Sequence, residues 1–277
     1  PQNPKTPMST EVYFVNYFIK TEMSQHPIMH TVCESLMILI FELFGTAMLS
    51  MLYLATGGGL AMFVGFFILL ILSARISGSH YNPVVTFAFM LRKDAGQFNK
   101  WLGIAYMVFQ VGGAFLGALA ANYFFECKDV VLTVNNHFTE CMFSETLGAF
   151  ILVVVYLTQT ENNYKLSTDA AITLLVISAS YCIGMALSHP AATWTQSPLN
   201  PAIALAQITF ATFNGNIDLM NWAWIYLVFS WLGSLLAVLM FECGFKRAAN
   251  IVDEAEGKKE EREEEEIVAS EIVSETA

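Results

Sequence analysis

Ser77-Gly78-Ser79-His80-Tyr81-Asn82-Pro83-Val84-Val85-Thr86 follows a hydrophobic span, and Thr195-Gln196-Ser197-Pro198-Leu199-Asn200-Pro201-Ala202-Ile203-Ala204 follows another. Each continues into an apolar run, residues 87–91 and 205–210, too short to cross a bilayer. Asn-Pro at such a place starts a helix. Asn caps the first turn, and Pro takes the first helical position, where its missing N–H is harmless. One half-helix in each half of a membrane chain points to a pore with inverted symmetry.

The flanking sequence agrees with a membrane setting. The 277 residues are 55% hydrophobic and 13% charged, with a mean hydropathy of +0.52. Six stretches are expected to span: 36–54, 60–76, 101–125, 143–158, 170–188 and 222–243. The shorter ones need flanking residues or a thinned bilayer edge to reach across. The expected fold class is therefore all-α and integral to the membrane, with six transmembrane helices and two re-entrant half-helices.

Basic residues set the expected orientation. With both termini cytoplasmic and six spans threaded, every Lys and Arg except Lys128 falls on the cytoplasmic side. Keeping Arg92, Lys93 and Lys100 there requires the segment after Asn82 to dip in and return. The net charge of −11 comes mostly from the tail, where Glu260, Glu261 and residues 263–266 are acidic. The first 35 residues show no short apolar run with a small-residue cleavage site, so no cleavable signal is expected. Cys33, Cys127, Cys141, Cys182 and Cys243 lack metal-ligand spacing. Cys127 and Cys141 share one long loop; they read as two thiols, with a disulfide as the alternative. No Asn-x-Ser/Thr site occurs.

The halves match beyond the Asn-Pro boxes. Glu42 and Gly45 in the first span correspond to Glu145 and Gly148 in the fourth; Tyr106 and Gly113 correspond to Tyr226 and Gly233. Tyr106 to Tyr226 is 120 residues and Asn82 to Asn200 is 118, so the repeats run nearly in register. Three spans per repeat is odd, so the two copies insert with opposite topology. Gly113 and Gly117, with Ala114, Ala118 and Ala121, offer a face for close helix approach. The expected organisation is a cytoplasmic N-terminal segment (1–34) and a first repeat (35–125). An extracytoplasmic loop (126–142), a second repeat (143–246) and an acidic cytoplasmic tail (247–277) follow. The tail composition cannot bury a core and reads as solvated.

Over roughly residues 35–245 the chain resembles an aquaporin of the major intrinsic protein family. The residues that carry the resemblance are Ser77-Gly78 with His80, Asn82-Pro83-Val84 and Thr86; Asn200-Pro201-Ala202; Glu42 with Gly45-Thr46; Glu145; and Gln110 with Gly113 and Gly117. The resemblance implies two half-helices meeting at mid-membrane and a homotetramer with one pore per subunit. It also implies passive passage of water, with small neutral solutes such as glycerol and urea as further cargo. No cofactor, metal or nucleic-acid partner is expected.

A half-helix starting at Pro83 or Pro201 has a partially positive N-terminus. Two such ends face to face repel cations and protons. Asn82 and Asn200 are expected to aim amide N–H groups at a passing water, orienting it so that its hydrogens point outward and the proton-hopping chain breaks. Carboxyls inside spans are costly unless they face protein or a cavity. By resemblance, Glu42 and Glu145 accept hydrogen bonds from the loops that lead into the half-helices. Proton relay is the rival reading. Gln110 and His80 are expected to help hold the loops.

The filter departs from the family. Most members carry Arg directly after the second box, where this chain has Ile203. By family spacing its companions are Met62, Ser188 and Ser197, a set without fixed charge and expected to be wider or greasier than a strict water filter. A one-residue slip would place His189 there instead and make the filter pH-sensitive. Val84 replaces the usual Ala, Gln196 the usual Gly, and Phe229-Ser230 the frequent Gly-Pro. The alternative reading is a pore-degenerate structural or adhesive subunit of a membrane assembly; an ion channel is a third. No nucleophile–base pair or phosphate loop argues for an enzyme.

Overall fold

The computed structural model describes residues 27–93, 98–125, 138–161, 167–187, 197–215 and 217–256, with side chains from residue 34 onward. The helices are α1 (Pro27–Thr56), α2 (Gly59–Ser73), α3 (Pro83–Leu91), α4 (Lys100–Phe125), α5 (Phe138–Thr160), α6 (Ala170–Leu187), α7 (Pro201–Phe213) and α8 (Ala223–Leu239). A 3-10 turn (Ile217–Trp222) precedes α8, a π turn (Met240–Phe245) follows it, and helix resumes to residue 256.

Five helical stretches are long and apolar enough to cross a membrane: Glu34–Thr56, Lys100–Phe125, Phe138–Thr160, Ala170–Leu187 and Ile217–Glu256. The expected second span, α2, has only 15 residues, about 22 Å of helix against a hydrocarbon core of about 30 Å. Its coil is prolonged by the N–H groups of Ala74 and Ser77, which donate to Leu70 O and Ser73 O at 2.9 Å. Three helices run past the expected bounds among the described residues: α1 from Pro27, α5 from Phe138, whose ring stacks on Trp222 at 4.2 Å, and the last helix to residue 256.

The packing is two-fold in pattern. Helix α1 lies along α4 as α5 lies along α8; α1 meets α2 as α5 meets α6; and α3 touches α8 as α7 touches α4. The closest approaches use glycines. A Cβ on Gly113 or Gly117 would run into the carbonyls of Leu43 or Ala47, and one on Gly233 into that of Thr146. At that separation Ser50 Oγ donates across to Ala114 O at 2.9 Å. Large apolar side chains such as Leu60, Ile68, Val108, Leu119, Phe143 and Leu239 are exposed around the bundle, a surface suited to hydrocarbon rather than water. Helices α3 and α7, of 9 and 13 residues, are each too short to cross and meet end to end inside this shell.

Candidate pore

The two half-helices begin in the same way. Asn82 Oδ1 accepts the Val84 N–H at 3.1 Å. Asn200 Oδ1 accepts those of Ala202 at 3.1 Å and Ile203 at 3.4 Å. Pro follows at the first helical position in both, as cap chemistry requires. The Asn amides then cross: Asn82 Nδ2 donates to Leu199 O at 2.9 Å, and Asn200 Nδ2 to Tyr81 O at 2.8 Å. Each box thus caps its own helix and ties down the residue before the other box. Those residues, Tyr81 and Leu199, have φ of 50° and 48°, a left-handed backbone that is uncommon for bulky side chains. Room for them comes from Gly45 and Gly148, where a Cβ would strike the Tyr81 ring and the Leu199 side chain.

The loop into α3 is held from several sides. Glu42, fully buried on α1, accepts from Ser77 Oγ at 2.6 Å and the His80 N–H at 3.0 Å through one oxygen. Its other oxygen accepts from the Tyr81 N–H and Gln110 Nε2, both at 2.8 Å. Gln110 Nε2 also donates to Thr86 Oγ1 at 2.9 Å. The loop's carbonyls are met by tyrosines: Tyr106 Oη donates to Ser77 O at 2.8 Å, and Tyr156 Oη to Gly78 O at 2.6 Å. The His80 ring bonds Thr86 through Nδ1 and packs among Phe89, Phe98, Tyr106 and Tyr156, with centroids 4.5–6.2 Å away.

Among the described residues, the loop into α7 shows fewer such bonds. Ser197 Oγ bonds Glu145 Oε2 and accepts the Leu199 N–H at 3.1 Å; Tyr181 Oη donates to Pro198 O at 2.8 Å. Glu145 Oε1 and Tyr226 Oη have no partner among the described residues. Two sequence differences remove donors from Glu145, and a third donor, the Leu199 N–H, turns to Ser197 Oγ instead. Pro198, two before Asn200, has no N–H to match that of His80; Ser230, the counterpart of Gln110, turns its hydroxyl to Tyr226 O instead.

Of the expected filter set, Met62 and Ile203 are fully buried apolar side chains of the central cluster. Ser197 is also buried, its hydroxyl engaged as above. Ser188 and the alternative His189 lie outside the described residues, as do Gln196 and Cys127; Cys141 is buried beneath α7. Val84 is buried, and its carbonyl accepts from Ser234 Oγ at 2.7 Å, tying α3 to α8. At the far end of α3, Arg92 pairs with Glu161 and lies over the rings of Phe89 and Phe241. The Lys93 N–H reaches Glu242, which also pairs with Lys246. Sequence reasoning had not singled out the tyrosine props, although Tyr53 and Tyr156 recur at the spacing of the two Glu. Gln207, one turn beyond Ile203, was missed as well.

The model of the family described as major intrinsic protein matches residues 55–241, more than half of the chain. A glycerol uptake facilitator protein-like 6 of Lactiplantibacillus plantarum is 28% identical over 214 residues, covering 71% of this chain and 92% of its own length. A probable aquaporin PIP-type 7a of Pisum sativum is 33% identical over 185 residues, 62% of this chain and 60% of that one. Among solved structures, the aquaglyceroporin from Plasmodium falciparum superposes with a TM-score of 0.62 at 19% identity. The match covers 78% of this chain and 99% of that one, and it shows a common fold. Members of this family are passive channels rather than enzymes. With paired Asn-Pro half-helices in a shell of apolar helices, the chain is an integral membrane protein that belongs to the major intrinsic protein family.

Proposed function

We propose that the chain is a passive channel for water that also admits small neutral solutes such as glycerol and urea. The observation that carries this reading is the crossed pair of Asn amides where α3 and α7 meet. Each NH2 has two hydrogens and gives one to the opposite loop, leaving the second for a passing water. A water accepting from both amides turns its own hydrogens away, which interrupts proton hopping. The positive ends of both half-helices oppose cations at the same point.

Met62 and Ile203 supply apolar side chains and no fixed charge at the expected filter, which favours a broader cargo than water alone. The relative in Lactiplantibacillus plantarum, named for glycerol uptake, supports the same direction. We further propose a homotetramer with one pore per subunit and cytoplasmic termini. Arg92, Lys93 and Lys246 gather at one end of the bundle, as that orientation requires.

The test is purified protein in liposomes, followed by light scattering after osmotic steps in sucrose and then glycerol. Fast shrinkage in sucrose with fast reswelling in glycerol is the expected result. Folded protein giving only the rates of empty liposomes would transfer the argument to a structural subunit.

A further inference from the structure

Helix α3 is fastened at its far end as well as at Asn82. Arg92 leaves helical geometry with ψ of 139°, so the N–H of Lys93 turns away from the helix and donates to Glu242 Oε1 at 3.2 Å. The same oxygen accepts from Lys246 Nζ at 2.9 Å, and the Glu242 side chain is only 7% exposed. Glu242 stands 149 residues further along the chain, inside the π turn Met240–Phe245 that interrupts the last helix. A π turn inside a helix is rare and often marks a functional place.

Phe241, next in the same turn, is fully buried. The Arg92 guanidinium lies 5.5 Å from its ring and the Lys246 ammonium 4.8 Å from it, both within cation–π range. Arg92 also lies over Phe89 of α3 at 5.3 Å and pairs with Glu161 beyond α5. Phe89 in turn stacks on His80, with centroids 4.5 Å apart. The nine residues of α3 form a rod of about 14 Å with Asn82 at its other end. A shift at Arg92 and Lys93 therefore reaches the Asn82 amide, whose bond to Leu199 O is 2.9 Å long. Groups that act through such short contacts must be held to within about 0.5 Å.

We propose that Glu242 and Phe241 are positioning residues of the channel. They hold the far end of α3 against the last helix and so set the place of the Asn82 amide where the half-helices meet. Neither touches solute; each acts through α3. This deepens the channel reading above and rests on it for the effect on flux.

The experiment compares the full chain as wild type, Glu242→Ala, Glu242→Gln and Phe241→Leu. It follows hydrogen exchange in purified protein and water permeability in proteoliposomes. Ala removes the acceptor of the Lys93 N–H and the partner of Lys246. Exchange over residues 80–87 is expected to rise roughly fivefold and water permeability to fall about threefold, with residues 172–182 of α6 unchanged. Gln keeps an oxygen for the Lys93 N–H and should restore both readings to within about twofold of wild type. Leu removes the ring beneath Arg92 and Lys246 and should give a rise of about threefold over residues 80–87, which also serves if the Ala variant does not fold. Faster exchange confined to residues 88–93 and 240–247, or equal in α6, overturns the inference, because the contacts would then fasten the fold without placing Asn82. A folded wild type no more permeable than empty liposomes overturns the channel reading, while the exchange comparison still decides whether α3 is placed from this end.

Discussion

The loops into α3 and α7 perform the same geometric task, with unequal support among the described residues. Glu42 receives four donors, two of them backbone N–H groups; Glu145 receives the Ser197 hydroxyl and keeps an oxygen unpaired among the described residues. Tyr106 and Tyr156 hold carbonyls of the first loop. Of their counterparts, Tyr226 has no hydroxyl partner among the described residues. Around α3 a collar of rings is centred on His80, with Gln110 Oε1 unpaired among the described residues; around α7 the unpaired atoms are Glu145 Oε1, Gln207 Oε1 and Tyr226 Oη. Repeat symmetry fixes where the half-helices meet, while single residues decide how rigidly each is held.

The largest effect should come from removing the carboxyl on each side. Glu42→Ala strands four donors at a fully buried site and is expected to cost roughly 3–5 kcal/mol. Glu145→Ala strands one hydroxyl and should cost about 1–2 kcal/mol. Thermal unfolding of the two purified variants in one detergent compares them directly. Equal losses would mean that the loops are held alike.

Making the first half resemble the second is the next test. Gln110→Ser removes the donor shared by Glu42 and Thr86 and is expected to destabilise by about 2 kcal/mol. No change in the melting midpoint would show that this amide supports nothing. Ile203→Arg adds the fixed charge that most family members carry. It should lower glycerol permeability about tenfold, about 1.4 kcal/mol in the barrier, with a smaller loss for water. If glycerol flux survives the substitution, residue 203 does not line the narrow point. The smallest effect runs in the opposite direction. Ser230→Gln restores to Glu145 the donor that Glu42 has and should stabilise by about 1 kcal/mol, unless the larger side chain is refused by the α5–α8 contact.

The half-helices were legible because their signal is local. Asn as cap and Pro in the first turn are written in adjacent residues, and both helices start there. The glycine contacts of α4 and α8 were also foreshadowed by spacing. What the sequence did not disclose is the inequality of the two anchors. It depends on an N–H that Pro198 lacks and on the direction Ser230 Oγ takes, and neither has meaning until the loop is folded against Glu145.

The most direct test of the central claim measures water and proton movement together. Proteoliposomes holding the wild-type chain and an internal pH-sensitive dye are given a sucrose step and, separately, a pH step. The account predicts water permeability well above that of empty liposomes and a proton leak no different from theirs. Proton entry that rises in step with water, or no water flow through folded protein, would contradict the role assigned to the crossed amides of Asn82 and Asn200.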